Sequence, residues 1–129
     1  NGEGVTPDIQ KAINLYLKAA KQGHAEAQNN LALCYKNGEG IAQDYKKSVK
    51  WLTLAAVQGH TRAQHNLALR YKNGEGVPQD LVKAYAWALL ANENEEEDSL
   101  LKKSLVAELT PEQSDQGKAL SEEWAEQIQ

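Results

Sequence analysis

The chain lacks most of what would mark an enzyme or a membrane protein. It holds one cysteine, Cys34, among 129 residues. A lone cysteine excludes an internal disulfide framework and any cysteine-based zinc cluster. No run of eighteen or more apolar residues occurs, so the sequence offers no helix that spans a bilayer. The H-E-x-x-H metal motif is absent, as is the G-x-S-x-G elbow. No acid lies beside His65 at helical spacing, and His60 and His65 fall on different sides of a helix. No basic patch interleaved with aromatics points to nucleic acid. A signal peptide and an initiating Met are also missing. The chain begins inside a recurring motif, so it reads as the C-terminal portion of a longer array. Its compartment stays open between periplasmic or secreted and cytoplasmic.

What remains is a composition suited to one globular domain, 41% hydrophobic and 25% charged. The net charge of −4 hides an asymmetry. Residues 1–92 carry 11 Lys/Arg against 7 Asp/Glu, whereas residues 93–129 carry 3 against 11.

The dominant feature is repetition. "NGEGV" starts at Asn1, "NGEGI" at Asn37 and "NGEGV" again at Asn73, 36 residues apart each time. A fixed period of this size signals a solenoid. The register extends well past the glycines. "QGH" at 22–24 matches 58–60, and "NLAL" at 30–33 matches 66–69. The third copy holds through Gln79, Asp80, Lys83, Trp87, Leu90 and Ala91.

Each period contains two helical patterns. Ala27, Leu31 and Tyr35 recur every four residues, as do Ala63, Leu67 and Tyr71. His24 and His60 precede these helices, and Gly38 and Gly74 follow where a left-handed cap favours glycine. Ser48, Trp51, Leu52, Ala55 and Ala56 form the face of the second helix, which Asp44 is placed to cap. Small residues let the helices approach, and large ones fill the space between. The "GEG" loop lacks the Lys-Ser/Thr of a phosphate cradle and follows no strand.

The tail differs. "ENEEED" precedes Leu100, Leu101, Leu105, Val106 and Leu109, an amphipathic helix pattern. "TPEQ" is a capping box with Thr110 as N-cap, Pro111 in the first turn and Gln113 reaching back. Leu120, Trp124 and Ile128 share one face of the helix after it. The acids of "ENEEED" suit either a solubilising cap or attraction to a basic surface. Residues 95–129 read as a pair of capping helices.

The segments "KNGEGVPQD…KAYAW…A" and "AAxQGHxxAQxNLALxY" resemble the Sel-one-like repeat (SLR) family, relatives of tetratricopeptide repeats. The ending "LTPEQ…EW" resembles those of bacterial members. The resemblance implies an all-α, right-handed α-α superhelix of helix-turn-helix repeats. Residues 1–23 would be helix B of a truncated repeat, and 24–59 and 60–94 two further repeats. Residues 95–129 would follow as the cap. It also implies a non-enzymatic scaffold or adaptor without a cofactor, binding protein or peptide in a concave groove lined by helix A. The cysteine-rich branch carries a bridging pair that this chain replaces with Ala20 and Gln28, and with Ala56 and Gln64.

Within helix A the two copies differ at Ala25/Thr61, Glu26/Arg62, Asn29/His65 and Cys34/Arg70. Shared positions answer to packing, which leaves differing ones freer to serve a partner. By analogy with related repeats, Glu26, Asn29, Leu33 and Lys36 face the concave side. So do Arg62, His65, Leu69 and Lys72, with Asn30 and Asn66 beside them. With Arg70, this strip is basic and suits an acidic segment or a free carboxylate. The alternative is a carbohydrate or small-ligand module built on Tyr35, Tyr71, Trp51 and Trp87. Their repeated positions favour core packing instead.

Overall fold

The computed structural model describes residues 7–91 and 95–128. The first "NGEGV" and the expected repeat-to-cap boundary at residue 94 lie outside them. Among the described residues there are seven helices and no strand. They are α1 (Pro7–Lys21), α2 (Ala25–Asn37), α3 (Tyr45–Ala56), α4 (Thr61–Asn73), α5 (Leu81–Leu90), α6 (Glu95–Glu108) and α7 (Pro111–Ile128). Helix α2 packs on α1 and α3, α4 on α3 and α5, and α5 on α6 and α7. The architecture is the expected TPR-like α-solenoid. Helices α2 and α4 are A helices, and α1, α3 and α5 are B helices.

Local chemistry sets the helix ends. Asp44 Oδ1 accepts from the Lys47 amide at 3.1 Å, and Asp80 Oδ1 from the Lys83 amide at 3.0 Å. Each satisfies an amide that the helix leaves unpaired. The Thr110–Gln113 capping box closes at 3.1 and 3.0 Å. His60 Nδ1 caps α4 by accepting from the Ala63 amide at 3.1 Å, whereas His24 makes no side-chain cap bond.

The seam after each A helix is built the same way twice. Gly38 and Gly74 sit in the left-handed region at φ 70° and 69°. The next amides, of Glu39 and Glu75, turn back to the carbonyls of Cys34 and Arg70. Gln43 Nε2 donates to the Lys36 carbonyl at 2.8 Å, and Gln79 Nε2 to the Lys72 carbonyl at 2.9 Å. Ile41 and Val77 then pack against the core.

That core runs unbroken along the array. Leu31, Leu52, Leu67 and Leu105 are fully buried, with alanines at 32, 55, 56, 63 and 68 between them. Ser48 Oγ donates to the Ala32 carbonyl at 2.8 Å, tying α3 to α2. Gln28 and Gln64 take the carbonyls of Ala20 and Ala56, each at 3.1 Å, at the end of the preceding B helix. The amide thus serves an end-of-helix carbonyl that has no helical partner.

Candidate functional site: the A-helix strip

The residues singled out in the sequence lie along α2 and α4, and the fold puts them to different uses. Glu26 is exposed, and its Oε1 lies 2.8 Å from His60 Nε2. Since His60 Nδ1 accepts from Ala63, the ring proton sits on Nε2 and is donated to Glu26. Asn29 is buried, and its Oδ1 accepts from Asn66 Nδ2 at 3.2 Å. Both bonds join the first A helix to the second. Asn30, Leu33, Lys36, Asn66, Leu69 and Lys72 are half-buried.

Arg70 is only 4% exposed. Its Nε lies 3.2 Å from Glu75 Oε1, an ion pair without hydrogen-bond alignment. Its guanidinium stands 5.8 Å above the Tyr45 ring. Arg70 therefore ties the seam after α4 to the first turn of α3.

Arg62 and His65 meet the acidic segment of their own chain. Arg62 Nη1 donates to Glu97 Oε2 at 2.9 Å. That bond, and then the guanidinium charge, hold the Glu97 carboxyl below the usual carboxylate range. His65 Nδ1 lies 2.7 Å from Asp98 Oδ1, with both side chains nearly sealed from water. Asp98 is the residue the sequence did not single out. It lies 33 positions from His65, beyond any helical spacing. The one signal for it is its place three residues before Leu101 and seven before Leu105 on the buried stripe of α6.

This corrects the idea that positions differing between copies are left free. Asn29 meets an amide on the next A helix, whereas its counterpart His65 meets a carboxylate on α6. The two residues differ because their neighbours differ. A polar group that sealed needs its partner. Asp98→Ala should cost about 1–3 kcal/mol in urea unfolding. Asp98→Asn, which keeps an acceptor, should recover most of the loss.

Cys34 is half-buried, and burial, with Glu39 second, pushes its thiol up. It is therefore a poor nucleophile. Trp51 and Trp87 are buried in the core, as their repetition suggested. Lys47 and Lys83 place their ammonium groups 5.6 and 5.7 Å from the ring centres of Tyr35 and Tyr71. Trp87 stacks on Trp124 at 4.6 Å between ring centres. With Val57, Gln127 and Ile128 they line a cavity of about 140 Å³, below the roughly 300 Å³ where small-ligand pockets begin. Among the described residues no three His, Cys, Asp or Glu side chains cluster as metal ligands would.

The Sel1 repeat family model matches residues 1–24, 25–60 and 61–95. The chain belongs to the Sel1 repeat family. Proteins of this family typically act as protein-interaction scaffolds and are generally non-enzymatic. Two crystal structures are similar to this Sel1 repeat chain. One is c5321, a protective antigen of uropathogenic Escherichia coli strains displaying an SLR fold, with 32% identity and a TM-score of 0.88. The match covers 92% of this chain and 26% of that one. The other is a Sel1 repeat protein from Oxalobacter formigenes, with 35% identity and a TM-score of 0.67 over 73% of this chain and 39% of that one. The matched regions thus span well under half the length of either. No curated protein matches it.

Proposed function

We propose that this chain is a non-enzymatic scaffold. It holds a protein or peptide along the concave A-helix strip, and residues 95–129 close the array. The observation that carries this reading is a repeated polar pair. Asn30 with Lys36 on α2 recurs as Asn66 with Lys72 on α4, 36 residues on. All four side chains keep contact with water. Neither lysine has an ion-pair partner among the described residues. The bond from Asn66 Nδ2 to Asn29 Oδ1 joins α2 to α4, so the repeated lysines, with Asn30 and Asn66 to one side of them, make a polar ladder along the two helices. Such a ladder fits an extended acidic segment or a free carboxylate. Glu26, Leu33 and Leu69 border it.

His65 and Arg70 are spent on intramolecular contacts, which narrows the useful variants. Arg70→Glu would place an acid in a buried site beside Glu75, so lost binding would be confounded with lost fold. Lys36→Glu with Lys72→Glu alters half-buried side chains only. In titrations of the full chain against acidic peptides with free C-termini, the double variant should lose about tenfold or more in affinity, since each tenfold is about 1.4 kcal/mol. Helicity should stay unchanged. Undiminished binding by a folded double variant would rule the ladder out as the site. A sugar or small-ligand role has less support, because Trp51 and Trp87 are buried and the cavity between Trp87 and Trp124 is small.

A further inference from the structure

Helices α2 and α4 are each packed by the helix that follows them, α3 and α5. Helix α6 is not, because α7 turns back onto α5. Trp124 stacks on Trp87 there. Gly117 lets α7 press on Tyr85, whose Cδ2 would stand 2.7 Å from an added Cβ. Asp98, Leu101 and Leu105 turn one side of α6 into the molecule. The opposite side meets water. Glu96, Leu100 and Lys103 are exposed there, Leu100 at 62%. With Ser99 they line a shallow groove.

This side of α6 does not suit a further helix of the array. By the 36-residue period, the buried Leu31 and Leu67 recur as Lys103, and the buried Ala27 and Ala63 as Ser99. A charge pattern replaces the apolar one. Glu96 and Lys103 are seven residues apart, two turns or about 10.5 Å along the axis, so they share one side of the helix. Ser99 and Leu100 lie midway between them. Neither Glu96 nor Lys103 has an ion-pair partner among the described residues. Glu97 and Asp98, by contrast, are engaged by Arg62 and His65.

Such a pattern is its own complement. Lay the same helix against it antiparallel, with a two-fold axis between residues 99 and 100. Glu96 of one copy then meets Lys103 of the other, and Lys103 meets Glu96, with Leu100 of both copies at the centre. A parallel alignment would set acid against acid and base against base. We infer that the outer side of α6 is a docking surface for a second copy of this chain, joined antiparallel by two Glu96–Lys103 pairs around Leu100. The contact is isologous, the same patch serving both copies. Two helical turns make a small interface, and exposed ion pairs are screened by salt. The dimer is therefore weak and salt-sensitive.

The test is sedimentation equilibrium of the 129-residue chain in low salt, from micromolar to millimolar concentration. The mass should climb toward that of a dimer and fall back to the monomer when salt is raised. Glu96→Lys and Lys103→Glu should each weaken association by about tenfold or more, because each sets like charges across the two-fold axis. Mixed in equal amounts, the two variants should associate again, since each supplies the sign the other lacks. Leu100→Ser should weaken association of the parent chain. All three positions face water, so circular dichroism should be unchanged. The inference fails if the parent chain stays monomeric at millimolar concentration in low salt. It fails too if the equal mixture associates no better than either variant alone. It also fails if Lys36→Glu with Lys72→Glu abolishes association while the α6 variants leave it intact. The contact would then lie in the A-helix strip.

Discussion

Replacing Leu67 with alanine should cost about 2–5 kcal/mol, the range for emptying a fully buried leucine site. Leu67 has no exposed surface and stands in α4, which packs on both α3 and α5. Its neighbours in the sequence of the face are alanines at 63 and 68, which are also fully buried. Alanines have no longer side chain to swing into the hole, so relaxation is limited and the cavity persists. The loss also falls on two interfaces at once, because a solenoid is held by nearest-neighbour contacts. Urea unfolding should show a lower midpoint with an unchanged slope. Leu69→Ala is the control two residues on. Leu69 is half-buried, and its loss should be a fraction of that for Leu67, because less apolar surface returns to water. Equal losses for the two would refute the assignment of Leu67 to the centre of the array.

The contrast between these leucines was readable from the repeat alone. Leu31 and Leu67 fall on the every-four-residue stripe, and both are fully buried. Helix ends were readable for the same reason. Asp44, Gly38, Thr110 and Gln113 act on backbone groups within a few residues of themselves. Periodicity located α6 but misjudged its face. Of its apolar residues, Leu101 and Leu105 are buried and Leu109 partly so, whereas Leu100 and Val106 point to water. Asp98 takes a place in the buried stripe that the run "ENEEED" disguised as solvated charge. Pairing with His65 makes that possible, and the pairing depends on how α6 lies against α4. No local spacing encodes that. The A-helix strip was legible as a location for the same reason that its use was not. Its positions follow from helical geometry, whereas the partners of Asn29, His65 and Arg70 follow from packing between units.

The seam glycines carry the second large effect. Gly76→Ala should cost about 2–5 kcal/mol, combining a left-handed backbone penalty of about 1–2 kcal/mol with about 1–3 kcal/mol of overpacking. Gly76 has φ 81°, and a Cβ there would run into the Tyr45 carbonyl oxygen, with its carbon 2.6 Å away and Val49 Cγ2 at 3.0 Å. A backbone carbonyl in the first turn of α3 cannot step aside without shifting the helix. Gly40 is the counterpart one period earlier, and its Cβ would meet only the ends of Ile9 and Ile13 side chains. Ile13 Cδ1 can swing about χ2, and although Ile9 Cγ2 moves only with its stiff χ1, no backbone atom is in the way, so Gly40→Ala should cost less. Gly74→Ala should cost least, about 1–2 kcal/mol. Its φ is 69°, but the nearest atoms to a new Cβ are 3.3 Å away. Thermal unfolding of the three variants should give the order Gly76, Gly40, Gly74. If Gly76→Ala matched Gly74→Ala, backbone conformation alone would account for the motif. If the order holds, the two glycines of "NGEGV" have separate roles. The first lets the A helix end. The second lets one unit close against the B helix of the unit before it, where even a methyl group does not fit.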